Sequence, residues 1–94
     1  KRIEVAAGGR LSLQKHQYRS EKWNIVSGLG LVILGDKEVS VKAGSVVDIP
    51  VGAVHRIANT GKSKLVFIEV ACGEYLSEDD IIRLEDDYER KDKK

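Results

Sequence analysis

His16 and His55 are the only histidines in this 94-residue chain, and each sits where an imidazole could do chemical work. His55 belongs to Gly44-Ser-Val-Val-Asp-Ile-Pro50-Val-Gly52-Ala-Val-His55-Arg-Ile-Ala-Asn59, a spacing of G-x5-P-x-G-x2-H-x3-N. Ser45–Ile49 reads as a strand. Pro50 fixes φ at the entrance of a turn, and Gly52 can take the positive φ that a tight reversal needs. His55 therefore leaves a rigid corner on a second strand. His16 lies in the run from Leu11 to Tyr18. Its period-two order puts Leu11, Leu13, Lys15 and Gln17 on one face and Ser12, Gln14, His16 and Tyr18 on the other. A face polar along its whole length suits the wall of a wet pocket, where imidazole, amide and carboxylate donors could hold a divalent metal. Read one at a time, the same residues are a surface histidine on a hairpin, a glutamine at a strand edge and a glutamate, Glu21, paired with Lys15 or Lys22. Both readings stand at this level.

The elements that must position these residues are short and closely spaced. Arg2–Ala6 reads as an edge strand, and Gly8-Gly9 as a turn. Lys22–Ser27 follows, then a hairpin of Leu31–Leu34 and Glu38–Val41 about Gly35-Asp36. Ser45–Ile49 and Val54–Ala58 flank the corner, and Lys64–Ala71 is a strand rich in β-formers. About eight such strands predict an antiparallel sandwich or barrel, with Trp23 in its core. After residue 76 the character changes. Ser77-Glu-Asp-Asp80 resembles a capped helix start, and Ile81, Ile82 and Leu84 would form its docking stripe. The expected organisation is a β-barrel over residues 1–76, then a short C-terminal helix and charged tail over 77–94.

Composition narrows the classes. Ninety-four residues allow one domain with a modest core, so association into a homodimer is expected, with Leu11, Leu13 or the first strand near the interface. Sixteen basic residues balance fifteen acidic ones, for a net charge of +1, which gives no general attraction to nucleic acid or membrane. Cys72, the single cysteine, excludes an intramolecular disulfide and reads as a buried thiol in an apolar run. Neither a membrane-length apolar run nor a signal-peptide pattern is visible, and a cytoplasmic location is expected.

The His55 spacing resembles the second sequence motif of the cupin superfamily, whose histidine binds a metal inside a small β-barrel. The first half supplies a partner: Gly8-x5-Gln14-x-His16-x4-Glu21-x6-Gly28 resembles the first cupin motif, with glutamine in place of its first histidine. The resemblance implies an all-β fold, a small antiparallel double-stranded β-helix or jelly-roll barrel. It also implies a metal site of Gln14, His16, Glu21 and His55. Gln14 and His16, two apart on one strand, project to one side, and a barrel can bring the other two to them. Zinc is the first choice of ion, with cobalt, nickel, manganese or iron as alternatives.

A longer match covers nearly the whole chain. It includes Leu11-Ser-Leu-Gln14-Lys-His16-Gln-Tyr18-Arg19-Ser-Glu21-Lys22-Trp23, Ile49-Pro50-x-Gly52-x-x-His55-Arg56, Ile68-Glu69-Val70 and Gly73-x-Tyr75-Leu76-x-Glu78-Asp79-Asp80-Ile81-x-Arg83. It is similar to the cupin domain of type II phosphomannose isomerases, in many of which that domain is the C-terminal part of a bifunctional protein that also carries a mannose-1-phosphate guanylyltransferase. This resemblance implies interconversion of mannose 6-phosphate and fructose 6-phosphate by proton transfer between C2 and C1. It gives Arg19 as a substrate contact, and Tyr18 and Glu69 as further candidates for the chemistry. By phase Tyr18 points into the pocket. Glu69 reads as the tip of an outward face or as a buried base, with the outward reading favoured. Arg56, out of phase with His55, reads as a solvent or interface arginine. The chain departs from the family motif at Tyr18 and Lys22, where histidines stand. Two alternatives stay open: a non-catalytic metal- or sugar-binding module, and another cupin enzyme such as a dioxygenase or sugar epimerase.

Overall fold

A computed structural model describes residues 1–76 and 78–85. Among these described residues nine strands form two antiparallel sheets: β1 (Arg2–Val5), β2 (Leu13–His16), β3 (Arg19–Ser27), β4 (Leu29–Leu34), β5 (Lys37–Lys42), β6 (Val46–Ile49), β7 (His55–Asn59), β8 (Leu65–Gly73) and β9 (Ile81–Glu85). One sheet has the order β1-β8-β3-β6 and the other β5-β4-β7-β2-β9. The expected all-β barrel is therefore the fold. Among the described residues no helix is long and apolar enough to cross a membrane.

The alternation of β3 shows how the sequence builds the interior. Arg19, Glu21, Trp23 and Ile25 are buried, while Ser20, Lys22, Asn24 and Val26 point away. Opposite them in register stand Ala71 and Ile49 beside Glu21, Glu69 and Val47 beside Trp23, and Phe67 beside Ile25. Each directly opposed pair projects to the same face. One end of the interior is thus dry: Trp23, Phe67, Ile57, Leu65 and Val32 are almost fully buried, with Val5, Ile25, Val41, Val47 and Ile49 around them. Full burial of each large side chain contributes about 1.5–3 kcal/mol. Asn59, last residue of the His55 motif, locks this end. Its amide donates to the Val5 and Ser63 carbonyls at 2.9 and 2.8 Å, and its oxygen accepts the Gly61 N–H at 2.9 Å.

Several local expectations change. The C-terminal helix is absent from the described residues: Glu78–Asp80 make a single 3-10 turn, and Ile81–Glu85 form β9 along the edge of β2. An open ladder on β2 and two adjacent β-branched residues favour a strand here over the helical start signal. Ser77 and the tail from 86 onward lie outside the described residues. Cys72 is exposed, because it follows Ile68 and Val70 on the outer face of β8. Leu11 packs against the protein's own core, so its cover is intramolecular.

Candidate metal centre

The corner before β7 positions the first candidate ligand, His55. Gly52 has φ of 81°, as the turn requires, and its N–H donates to the His16 carbonyl at 2.8 Å. Ala53 N–H closes back on the Pro50 carbonyl at 3.2 Å. His55 then places Nδ1 at 2.9 Å from the Ala53 carbonyl. A carbonyl only accepts, so Nδ1 carries the hydrogen and Nε2 holds the lone pair. In the register Gln14 stands directly opposite His55. Gln14 and His16 both line the same cavity, as their two-residue spacing predicts. The Gln14 amide donates to Ser12 Oγ at 3.0 Å.

Glu21 is the hub. Its Oε2 lies 2.8 Å from His16 Nε2 and 3.0 Å from a terminal nitrogen of Arg19, while Arg19 Nε donates to the same oxygen at 3.1 Å. Its Oε1 accepts the Trp23 Nε1–H at 3.0 Å. Ligand atoms of His16, Glu21 and His55 all fall within 4.8 Å of one another, and the three residues are buried. Burial lowers the pKa of both imidazoles; for His16 the Glu21 carboxylate pulls the other way. Both rings are thus poised neutral at pH 7, as metal ligation requires. His16 Nδ1 is buried without a hydrogen-bond partner among the described residues. An uncommitted imidazole nitrogen, an oriented Nε2 and a buried carboxylate fit a borderline divalent ion. Gln14 lies beside them as a neutral oxygen donor.

The cavity around this cluster measures about 360 Å³ and lies between edge strands β1 and β9, which contribute Arg2, Ile3, Glu4, Ile81 and Arg83. Trp23 forms its floor, edge-on to His55 with ring centres 5.6 Å apart and packed on Phe67 at 4.8 Å. Glu69 lines this cavity too. The outward reading of Glu69 is thus overturned: the register sets it beside Trp23 on the inner face. Burial, and then the neighbouring Glu21 carboxylate, raise its pKa to about 7.

Arg19 is inside, only 4% exposed, with its guanidinium engaged by Glu21 and by the Leu76 carbonyl at 3.4 Å. Gly73 faces it across the ladder. A Cβ there would overlap the Tyr18 carbonyl and lie 2.9 Å from Arg19 Cα, so only glycine permits this approach. Tyr18 does not enter the cavity. Strand β2 ends at His16, and the buried Asp80 carboxylate accepts the Gln17 and Tyr18 N–H groups at 2.8 and 3.1 Å. The alternation breaks at this clamp. Tyr18 is left 56% exposed in a neighbouring groove, edge-on to Tyr75. Lys22 is also outside, on the outer face of β3 near Asp48. Arg56, expected in solvent or at an interface, is buried within the chain: Nε donates to the Leu11 carbonyl at 2.8 Å, and NH1 bonds Glu85 at 3.0 Å. Asp80 and Arg83 carry no local signal of their place, since their neighbours lie more than 60 residues away in the chain.

Comparison with known proteins agrees with this architecture. Residues 1–86 match the family described as mannose-6-phosphate isomerase C-terminal. The chain is 50% identical over 90 residues to the alginate biosynthesis protein AlgA of Pseudomonas aeruginosa, covering 96% of this chain and 19% of that protein. It is 46% identical over 92 residues to mannose-1-phosphate guanylyltransferase 2 of Escherichia coli O157:H7, covering 98% and 19%. The chain thus spans about a fifth of the length of these curated relatives. Among solved structures, one named a predicted oxalate decarboxylase, from Thermotoga maritima, superposes with a TM-score of 0.75 at 33% identity, over 78% of this chain and 64% of that one. The cupin domain of Schizosaccharomyces pombe Cnp3 gives 0.75 at 19% identity, over 78% and 53%, a likeness of fold alone. The fold is a cupin double-stranded β-helix.

Proposed function

The chain belongs to the mannose-6-phosphate isomerase C-terminal family, and from that premise we propose that it is a metal-dependent isomerase of mannose 6-phosphate and fructose 6-phosphate. The observation that carries this reading is the buried His16–Glu21–His55 cluster with the Glu69 carboxyl in the same cavity. A bound divalent ion, zinc first among the candidates, would polarise the sugar oxygens and lower the acidity barrier at C2. His16, Glu21 and His55 would hold it, with Gln14 as the fourth donor. Glu69 takes the proton from C2 and returns it to C1, and the proton lost from the C2 hydroxyl is matched by one gained at O1. A carboxyl with a pKa of about 7 suits both directions of that transfer. Arg19 fixes Glu21 and supplies positive charge beside it. Trp23 closes the floor against water.

The departures at Tyr18 and Lys22 are compatible with this reading, since both side chains stand outside the cavity and take no ligand position. A homodimer joined along an exposed sheet edge belongs to the proposal, with light scattering as its test. In the guanylyltransferase-containing relatives the matched region is the smaller part, so this chain alone is proposed for the isomerase step only.

The test is a coupled assay of mannose 6-phosphate isomerisation on protein prepared without chelator and loaded in turn with zinc, cobalt, nickel, manganese or iron. Metal-dependent turnover that disappears in His16→Ala and His55→Ala is expected. A folded, metal-loaded protein without turnover on any of the five would leave a binding module or another cupin chemistry in its place.

A further inference from the structure

We propose that Arg83, on β9, anchors the phosphomonoester of the ligand at the mouth of the metal cavity, a division of labour that rests on the isomerase reading. The placement follows from register. His55, Gln14 and Arg83 are successive partners across β7, β2 and β9. Directly opposed residues share a face, so all three side chains belong to one transverse row on the inner surface. Arg83 accordingly lines the same cavity as His16, Glu21 and His55, and is itself half-buried. Two inter-strand steps separate the His55 and Arg83 backbones, about 10 Å in all.

That polarity matches the ligand. A hexose 6-phosphate carries its reacting carbons, C1 and C2, at one end and its phosphate at the other. The triad end would take the first and the mouth the second.

The other cavity cations are less suited to the task. Arg19 lies deep in the site, where two of its nitrogens engage one Glu21 oxygen, which makes it a positioning residue for the cluster. Arg2 is exposed on the opposite wall, with 59% of its side chain open to solvent. Lys1 lies beyond β1, where its carbonyl accepts the Glu69 N–H at 2.7 Å, and its ammonium is a point charge without a fork. Arg83 combines partial burial, which strengthens a charged hydrogen bond, with a planar fork that pairs with two phosphate oxygens at once.

The experiment is calorimetric titration of the zinc-loaded chain with mannose 6-phosphate, with mannose and with inorganic phosphate. The wild type should prefer mannose 6-phosphate to mannose by about tenfold or more, the scale of a charge-assisted hydrogen-bond pair. Arg83→Gln should bring that ratio near one, with zinc stoichiometry unchanged and the barrel still folded. Arg83→Lys, which keeps charge and loses the fork, should fall between, and Arg2→Gln should keep the full ratio. Inorganic phosphate should compete in the wild type and lose that competition in Arg83→Gln. Phosphate binding as tight as mannose 6-phosphate would overturn the sugar-phosphate assignment in favour of a free-anion site. A wild type without preference, or an Arg83→Gln variant that retains it, would overturn the anchor itself. Arg83-dependent preference in a protein with no turnover would count against the isomerase reading while supporting the anchor.

Discussion

The two ends of the barrel interior are lined by the same strands and differ completely in chemistry. On β3 the inner face runs Arg19, Glu21, Trp23, Ile25, and on β8 it runs Glu69, Phe67, Leu65. Ionisable groups occupy one end and closely packed apolar groups the other, within four or five residues. Trp23 is the partition, with its ring against Phe67 and its N–H on Glu21. A continuous sheet can carry both because its backbone hydrogen bonds are satisfied by the ladders whatever the side chains are. The wet end survives burial only because its charges are paired: Glu21 with Arg19, and the histidines neutral. The dry end supplies the stability that this arrangement costs.

Perturbations at each end should separate these roles. Phe67→Ala at the dry end should destabilise by about 3–5 kcal/mol, enough to unfold much of a domain of this size, as read by urea denaturation. Should it instead abolish zinc binding in a protein of normal stability, the two ends would not be separable. His55→Ala at the wet end should cut zinc affinity by about a hundredfold or more, while the buried ring it removes costs the zinc-free protein about 1–3 kcal/mol, less than Phe67→Ala. Competition with a chromogenic chelator and a urea titration measure the two. Trp23→Phe, at the partition, keeps most of the apolar contact and removes the donor to Glu21. A stability loss of about 1–2 kcal/mol with about tenfold weaker zinc binding is expected, so that both properties move together.

Glu69 gives the partition a pH signature. Unfolded glutamate titrates near about 4.3, and folded Glu69 at about 7. The fold therefore favours its protonated form, and the associated stability is present below pH 4 and lost as pH rises through 7. Glu69→Gln should abolish that loss. In zinc-free protein the variant should gain about 1 kcal/mol on the wild type between pH 5 and pH 8, a figure reduced from the full shift because the side chain is only half-buried. Parallel stability curves across that range would place Glu69 in solvent. The smallest effects are expected at Tyr18→His and Lys22→His. These restore the family residues outside the cavity and should leave turnover within about twofold.

What the sequence reveals of this division depends on how far away the deciding neighbour lies. The fold class was legible because alternation and turn residues are local, and so were the shared side of Gln14 and His16 and the corner before His55. Glu69 sits in an apolar run whose pattern favours an outward carboxylate, and only the ladder with β3 shows which side of that run faces in. The phase of Tyr18 continues that of His16 and points inward, and only Asp80, 62 residues on, breaks it. Cys72 and Arg56 failed in the same way, one exposed at the end of an apolar strand and the other buried by Leu11 and Glu85. The strand β9 competed with a well-formed helix start and prevailed because β2 had an open edge.

The Gly52 N–H on the His16 carbonyl has a kinetic meaning. It joins the backbones that carry the two histidines, so the spacing of these candidate ligands is set by a short main-chain tether. An ion entering such a site meets donors that need little rearrangement, and little ordering entropy remains to be lost on capture. Uptake should then be a single fast phase, first order in metal and without a lag from folding. Stripping the metal should leave the barrel standing, ready to exchange one ion for another.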